Sequence, residues 1–103
     1  MVRLAAILLL AALPVAAQDV APQRAAALEN MLIQDCGSCH GLRMTGGLGA
    51  PLTPDALADW PDDGLVATIL HGRPGTAMPP WKALLSPDDA RWMVGRLRQG
   101  VTP

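Results

Sequence analysis

Cys36-Gly37-Ser38-Cys39-His40 is the stretch of this chain best equipped for chemistry. Two thiols separated by two residues, with an imidazole directly after the second, fit the C-x-x-C-H rule for attachment of a c-type haem. Thiols at that spacing can add to the two vinyl groups of one haem, and the histidine then stands beneath the iron as an axial nitrogen ligand. The same residues have three other uses: a disulfide in an oxidising compartment, a redox-active dithiol, or half of a zinc site. Zinc would want two further ligands, and the only other side chain of the usual kind is His71. A thioredoxin-like dithiol would want a βαβ setting, and the chain shows no strand-like alternation. Haem c, with its iron, is the expected occupant.

A six-coordinate iron needs a second axial ligand, and four methionines follow the N-terminal apolar stretch. Met31 and Met93 lie on apolar helix stripes, where methionine is ordinarily core filler. Met44 follows His40 by four residues on the same side of the attachment loop, too close to reach the opposite haem face. Met78 follows His40 by 38 positions, behind a helix, in a loop stiffened by Pro79 and Pro80. A restricted backbone lowers the entropy cost of holding a weak thioether in place. Met78 is therefore the expected sixth ligand, with His71 or an open position as the alternatives. His71 is better explained as the end of a helix, where an imidazole suits the negative pole. With both axial positions filled the iron passes electrons and binds no substrate, so the chain is expected not to be an enzyme. An open position would instead make a ligand sensor or a catalytic haem.

These residues need elements to place them. Gln23 to Asp35 lacks proline and glycine and carries Ala25, Leu28 and Leu32 on one face, which predicts a first helix. Glycines and prolines recur from Gly37 to Pro61, so a loop is expected there, with at most a short helical turn near Asp55 to Asp59. Asp62-Asp63 before Leu65, Val66, Ile69 and Leu70, with Gly72 behind, predicts a helix of about two turns. Pro74, Gly75, Pro79 and Pro80 forbid a helix over Arg73 to Trp81. Ser86-Pro87-Asp88-Asp89 offers a capping serine, a proline at the first helical position and a carboxylate at the capping-box site. The final helix then runs to about Gln99, with Ala90, Met93, Val94 and Leu97 as its apolar stripe, Arg91 and Arg98 facing away, and Gly100 as its stop. Gly95 inside it predicts close packing of another backbone, since a mid-helix glycine otherwise costs about 1 kcal/mol. The fold class is all-α.

Length and composition bound the rest. A chain of 103 residues makes one small domain, and the first seventeen residues read as an export signal. Met1 and Arg3 begin it, Leu4 to Leu13 form its apolar run, and Val15-Ala16-Ala17 supplies a small-residue cleavage site. Its apolar run is about half the twenty residues that a membrane span needs. The expected organisation is a cleaved signal peptide over residues 1–17 and a domain over residues 18–103, exported to the periplasm with no membrane attachment. That domain keeps seven of the eight basic residues and all nine acidic ones, a formal charge of −2. No basic block or basic helix face points to nucleic acid. With no Phe, no Tyr and three Trp, so small a core is poor in aromatics, and a large flat apolar cofactor would fill it.

At three segments the chain resembles class I cytochromes c: Gln34 to Arg43, Thr45-Gly46-Gly47-Leu48-Gly49, and Gly72-Arg73-Pro74-Gly75-Thr76-Ala77-Met78-Pro79-Pro80-Trp81. More narrowly it is similar to the small periplasmic cytochromes of denitrification nitrite-reductase gene clusters, the NirC or cytochrome c-55X type. The resemblance covers nearly the whole of residues 18–103. It implies a small class I cytochrome c fold, three to four helices wrapped around one covalent haem. It implies electron exchange with cytochrome cd1 nitrite reductase or with the enzymes that mature haem d1. It also implies that the Pro51 backbone carbonyl accepts a hydrogen bond from the far ring nitrogen of His40, a contact that would orient the imidazole and raise its basicity. Arg73 and Trp81 are candidate contacts to the haem edge or its propionates, and Ala77, Pro79 and Pro80 are expected to border that edge. Arg43, Arg73 and Lys82 suggest a partly basic rim that steers an acidic partner; a solvated mixed-charge surface explains them equally well. A monomer is expected, although the segment before the last helix is hinge-like enough to let two chains exchange Met78 and that helix as a domain-swapped dimer.

Overall fold

The computed structural model describes residues 20–102, together with residues 2 and 5–8. The cleavage point after residue 17 and most of the expected signal peptide lie outside the described residues. Pro22 opens the first helix, α1 (Pro22–Met31), at a position where its missing N–H costs nothing. The helix does not stop at Asp35. It passes through one widened turn, Leu32–Cys36, into a short α2 (Gly37–His40), and ends only at Gly41, whose φ of 93° is left-handed. Gly37 does not break the helix, because its φ of −60° is helical. The loop that follows contains α3 (Pro54–Leu57), capped by the Thr53 hydroxyl, which accepts from the Ala56 N–H at 3.4 Å.

Asp62 and Asp63 sit in the first turn of α4 (Asp62–His71), where carboxylates favour the positive pole. This helix has ten residues, longer than the expected two turns, because it begins at Asp62 itself and runs without interruption to His71. The last helix, α5 (Pro87–Gln99), has both halves of its capping box: Asp89 N–H donates to the Ser86 hydroxyl at 3.0 Å, and Ser86 N–H donates to the Asp89 carboxylate at 2.9 Å. Every element among the described residues is helical, and none is long and apolar enough to cross a membrane.

Helix α5 is the hub, packing against α1, α3 and α4. Its stripe of Ala90, Met93, Val94 and Leu97 is buried, as are Leu28 and Leu32 of the first helix. Two ion pairs join these helices: Arg24 to Asp89 and Arg96 to Glu29, each at 2.8 Å. Two expectations for α5 fail. Arg98 does not face away; its guanidinium donates to the carbonyls of Leu57 and Trp60 and pairs with Asp62, tying α5 to the α3–α4 connection. Gly95 has no neighbour against it: a Cβ there would meet nothing within 4 Å, and the residue is exposed. No aromatic side chain is fully buried; Trp81 and Trp92 lie partly buried against the core and Trp60 is about half exposed.

Candidate functional site

The attachment segment sits at the end of the first helical rod, where the last carbonyls have no helical partner. The following loop folds back to satisfy them. Gly46 N–H donates to the His40 carbonyl at 2.8 Å and Gly49 N–H to the Cys39 carbonyl at 2.7 Å. Leu52 N–H closes the loop onto the Met44 carbonyl at 2.8 Å. This return path is possible because Gly49 has no side chain: a Cβ there would stand 2.7 Å from Nδ1 of His40 and 2.8 Å from Cε1. The backbone of residues 49–50 therefore lies directly against the imidazole.

That contact fixes the ring. Nδ1 of His40 is 2.7 Å from the backbone carbonyl of Ala50. A carbonyl can only accept, so Nδ1 carries the proton and Nε2 keeps its lone pair free for a metal. The acceptor is Ala50 and not the expected Pro51. The reason is the close approach at Gly49, which brings the carbonyl immediately beyond it, one residue earlier than expected, into reach of the ring.

Cys36 is half-buried, Cys39 is exposed, and neither forms a disulfide. Burial, with the Asp35 carboxylate alongside, pushes the Cys36 thiol up to about 11. Among the described residues no group of three or more His, Cys, Asp or Glu side chains is gathered to hold a metal ion by itself. His71 ends α4 and is exposed. The donor set at the attachment segment, two uncommitted thiols and one imidazole nitrogen, fits a covalent haem.

Met78 lies half-buried in the loop after α4. The loop is folded on itself: Arg73 N–H donates to the Met78 carbonyl at 3.2 Å, and Thr76 N–H and hydroxyl both donate to the Arg73 carbonyl, at 3.1 and 2.7 Å. Its far end is fastened to α4 by Trp81 and Lys82, whose N–H groups donate to Ile69 and Leu70. Gly72 makes the approach possible, with φ at 65° and no Cβ, which would stand 2.6 Å from the Met78 carbonyl. Of the other methionines, Met44 and Met93 are fully buried in the core and Met31 packs partly against it. Met44 also holds a left-handed φ of 59°, uncommon for so large a residue.

Ala77, Pro79 and Pro80 are all exposed beside Met78. Trp81 is packed against the core. The Arg73 guanidinium stacks over Trp60 at 5.2 Å from the ring centroid, beside the acidic segment that contains Asp59, Asp62 and Asp63. This stacking commits the Arg73 guanidinium to the Trp60 ring. Trp60 was not singled out from sequence; an isolated exposed tryptophan carries no periodic signal.

A model of the family described as cytochrome C oxidase, cbb3-type, subunit III, matches residues 23–95. The chain is 61% identical over 80 residues to cytochrome c55X of Stutzerimonas stutzeri, covering 78% of this chain and 71% of that protein. It is 52% identical over 102 residues to cytochrome c55X of Paracoccus denitrificans, covering 99% of each. The chain belongs to the c-type cytochromes of the cytochrome c55X family. A solved structure of the c-type cytochrome NirC superposes with a TM-score of 0.79 at 59% identity, covering 82% of this chain and all of that one. A dihydro-heme d1 dehydrogenase of Pseudomonas aeruginosa is 35% identical over 71 residues, which span 69% of this chain and only 14% of that enzyme. As a c-type cytochrome the protein has the small cytochrome c fold, carries one covalently bound haem c with its iron, and is an electron carrier.

Proposed function

We propose that residues 18–103 form an exported single-electron carrier of denitrification, freed of a signal peptide at residues 1–17, with haem attached through Cys36 and Cys39 and the iron held by His40 and Met78. The observation that carries the reading is His40: its Nδ1 is committed to the Ala50 carbonyl at 2.7 Å, so its Nε2 is the nitrogen left to bind iron, directly after two free thiols. When bound, haem c supplies a one-electron couple of its iron. The chain's part is to hold the imidazole at one orientation, to keep the thioether in a loop fastened at both ends, and to exclude water from both faces. The Ala50 carbonyl raises the basicity of the imidazole, while the thioether and the apolar surroundings favour the reduced state. Electrons leave where Ala77, Pro79 and Pro80 are exposed, and the chain performs no catalysis itself.

The partners we propose are cytochrome cd1 nitrite reductase or the enzymes that finish haem d1. Support comes from the likeness of one segment of dihydro-heme d1 dehydrogenase to this chain and from the NirC fold match. The test is an absorption spectrum of the purified protein, oxidised and reduced, extended into the far red. Sharp reduced α and β bands with a far-red methionine-to-iron feature, lost in Met78→Ala, support the carrier. High-spin bands, or carbon monoxide binding to the reduced parent protein, would instead establish an open sixth position and a sensor or catalytic haem.

A further inference from the structure

The helix that presents the thiols is irregular at one place. Between α1 and α2 the backbone widens into a single π turn, Leu32–Cys36, in which Gly37 N–H donates to the Leu32 carbonyl five residues back. Such turns are rare and are frequently found at functional sites. The Ser38 hydroxyl donates to the Asp35 carbonyl at 2.7 Å inside this stretch.

The pattern of burial shows what the extra residue does. Leu28 and Leu32, four apart, are buried on the core face, and the next buried position is Gly37, five further on. In a regular helix the residue four after Leu32 is Cys36, and three and four after that are Cys39 and His40. All three would then continue the stripe that packs into the core. With the widened turn Gly37 is the buried position, against Leu42 of the following loop, while Cys36 packs partly buried at the edge of the core, His40 is half-buried and Cys39 is exposed.

We infer that the π turn sets the rotational phase of the attachment segment, turning Cys39 and His40 off the helix-packing face and Cys36 to its edge, by roughly the 100° that one residue contributes in an α-helix. The inference rests on the assignment of Cys36, Cys39 and His40 to haem. It makes chain length between Leu32 and Cys36, and not the identity of the exposed Gln34, the positioning element.

Deleting Gln34 tests this, with deletion of the exposed Ala27 from α1 as a matched control and Gln34→Ala as a side-chain control. All are expressed with haem-attachment machinery, and covalent haem per chain is measured after denaturation. The Gln34 deletion is expected to carry at most one tenth of the parent's covalent haem, and any holoprotein that does form is expected to lack the far-red methionine band. The Ala27 deletion and Gln34→Ala are expected to keep more than half of the haem and the band. The inference is overturned if the Gln34 deletion keeps haem and band, or if both deletions lose haem alike, which would show general damage to the helix. A parent protein without covalent haem would refute the haem assignment itself, a separate result.

Discussion

Two glycine-to-alanine substitutions in this protein should have opposite signs, and the pair tests whether His40 is held as described. In Gly49→Ala the new methyl carbon would stand 2.7 Å from Nδ1 of His40, 2.8 Å from Cε1 and 3.2 Å from Cγ. Gly49 does not have a positive φ, so alanine suits its backbone and the whole effect is steric. The imidazole cannot retreat without stretching its 2.7 Å hydrogen bond to Ala50. Overpacking of this kind costs about 1–3 kcal/mol, and weakening the hydrogen bond adds about 1 kcal/mol. A loss of about 2–4 kcal/mol lowers the Tm of a domain this small by roughly 10–25 °C. In Gly95→Ala the methyl group enters open space on an exposed helix face, and helix propensity should raise stability by about 0.5–1 kcal/mol. Thermal unfolding of the holoproteins, followed by circular dichroism, measures both. The reduction potential of Gly49→Ala should also move, because imidazole basicity depends on the Ala50 contact. A Gly49→Ala protein with unchanged Tm and unchanged potential would refute the argument that the loop backbone clamps the ring.

Acid should loosen the junction of α1 and α5. The Arg24 guanidinium holds Asp89, and Arg96 holds Glu29, below the usual carboxylate range. Groups with a depressed folded-state pKa stabilise above their unfolded values and lose that contribution as pH falls through the folded ones. The Tm should therefore be level from pH 7 to about 5 and fall below about pH 4, with a shallower fall in a Glu29→Gln, Asp89→Asn double variant; an identical profile in that variant would count against the assignment. At the other end of the site, Gly72→Ala forces a Cβ to 2.6 Å from the Met78 carbonyl at a φ of 65°, whereas Gly75→Ala, at 79°, meets nothing within 4 Å. The far-red band should disappear in the first and persist in the second.

The chemistry was legible in local order along the chain. Cys36, Cys39 and His40 are a contiguous motif, and Ser86, Pro87 and Asp89 cap α5 through bonds that span three residues, so both needed only neighbours to be read. Met78 stood out because the stiffness that Pro79 and Pro80 impose is also a local property. What escaped was decided by contacts between distant segments. Which carbonyl meets His40 depended on how the loop backbone returns across Gly49, and the answer differed by one residue from the expectation. Gly95 was misread because a glycine states that space is tolerated, not that it is filled; only the packed helices show that side to be open. Arg98 likewise found its partners 36 to 41 residues away. The sequence by itself determined α1, α4 and α5 and the C-x-x-C-H motif, because those follow from spacing and capping within a few residues. The tertiary structure alone decided the acceptor for His40, the partners of Arg98 and the place of Arg73 against Trp60, because each depends on how separate segments of the chain come to lie against one another.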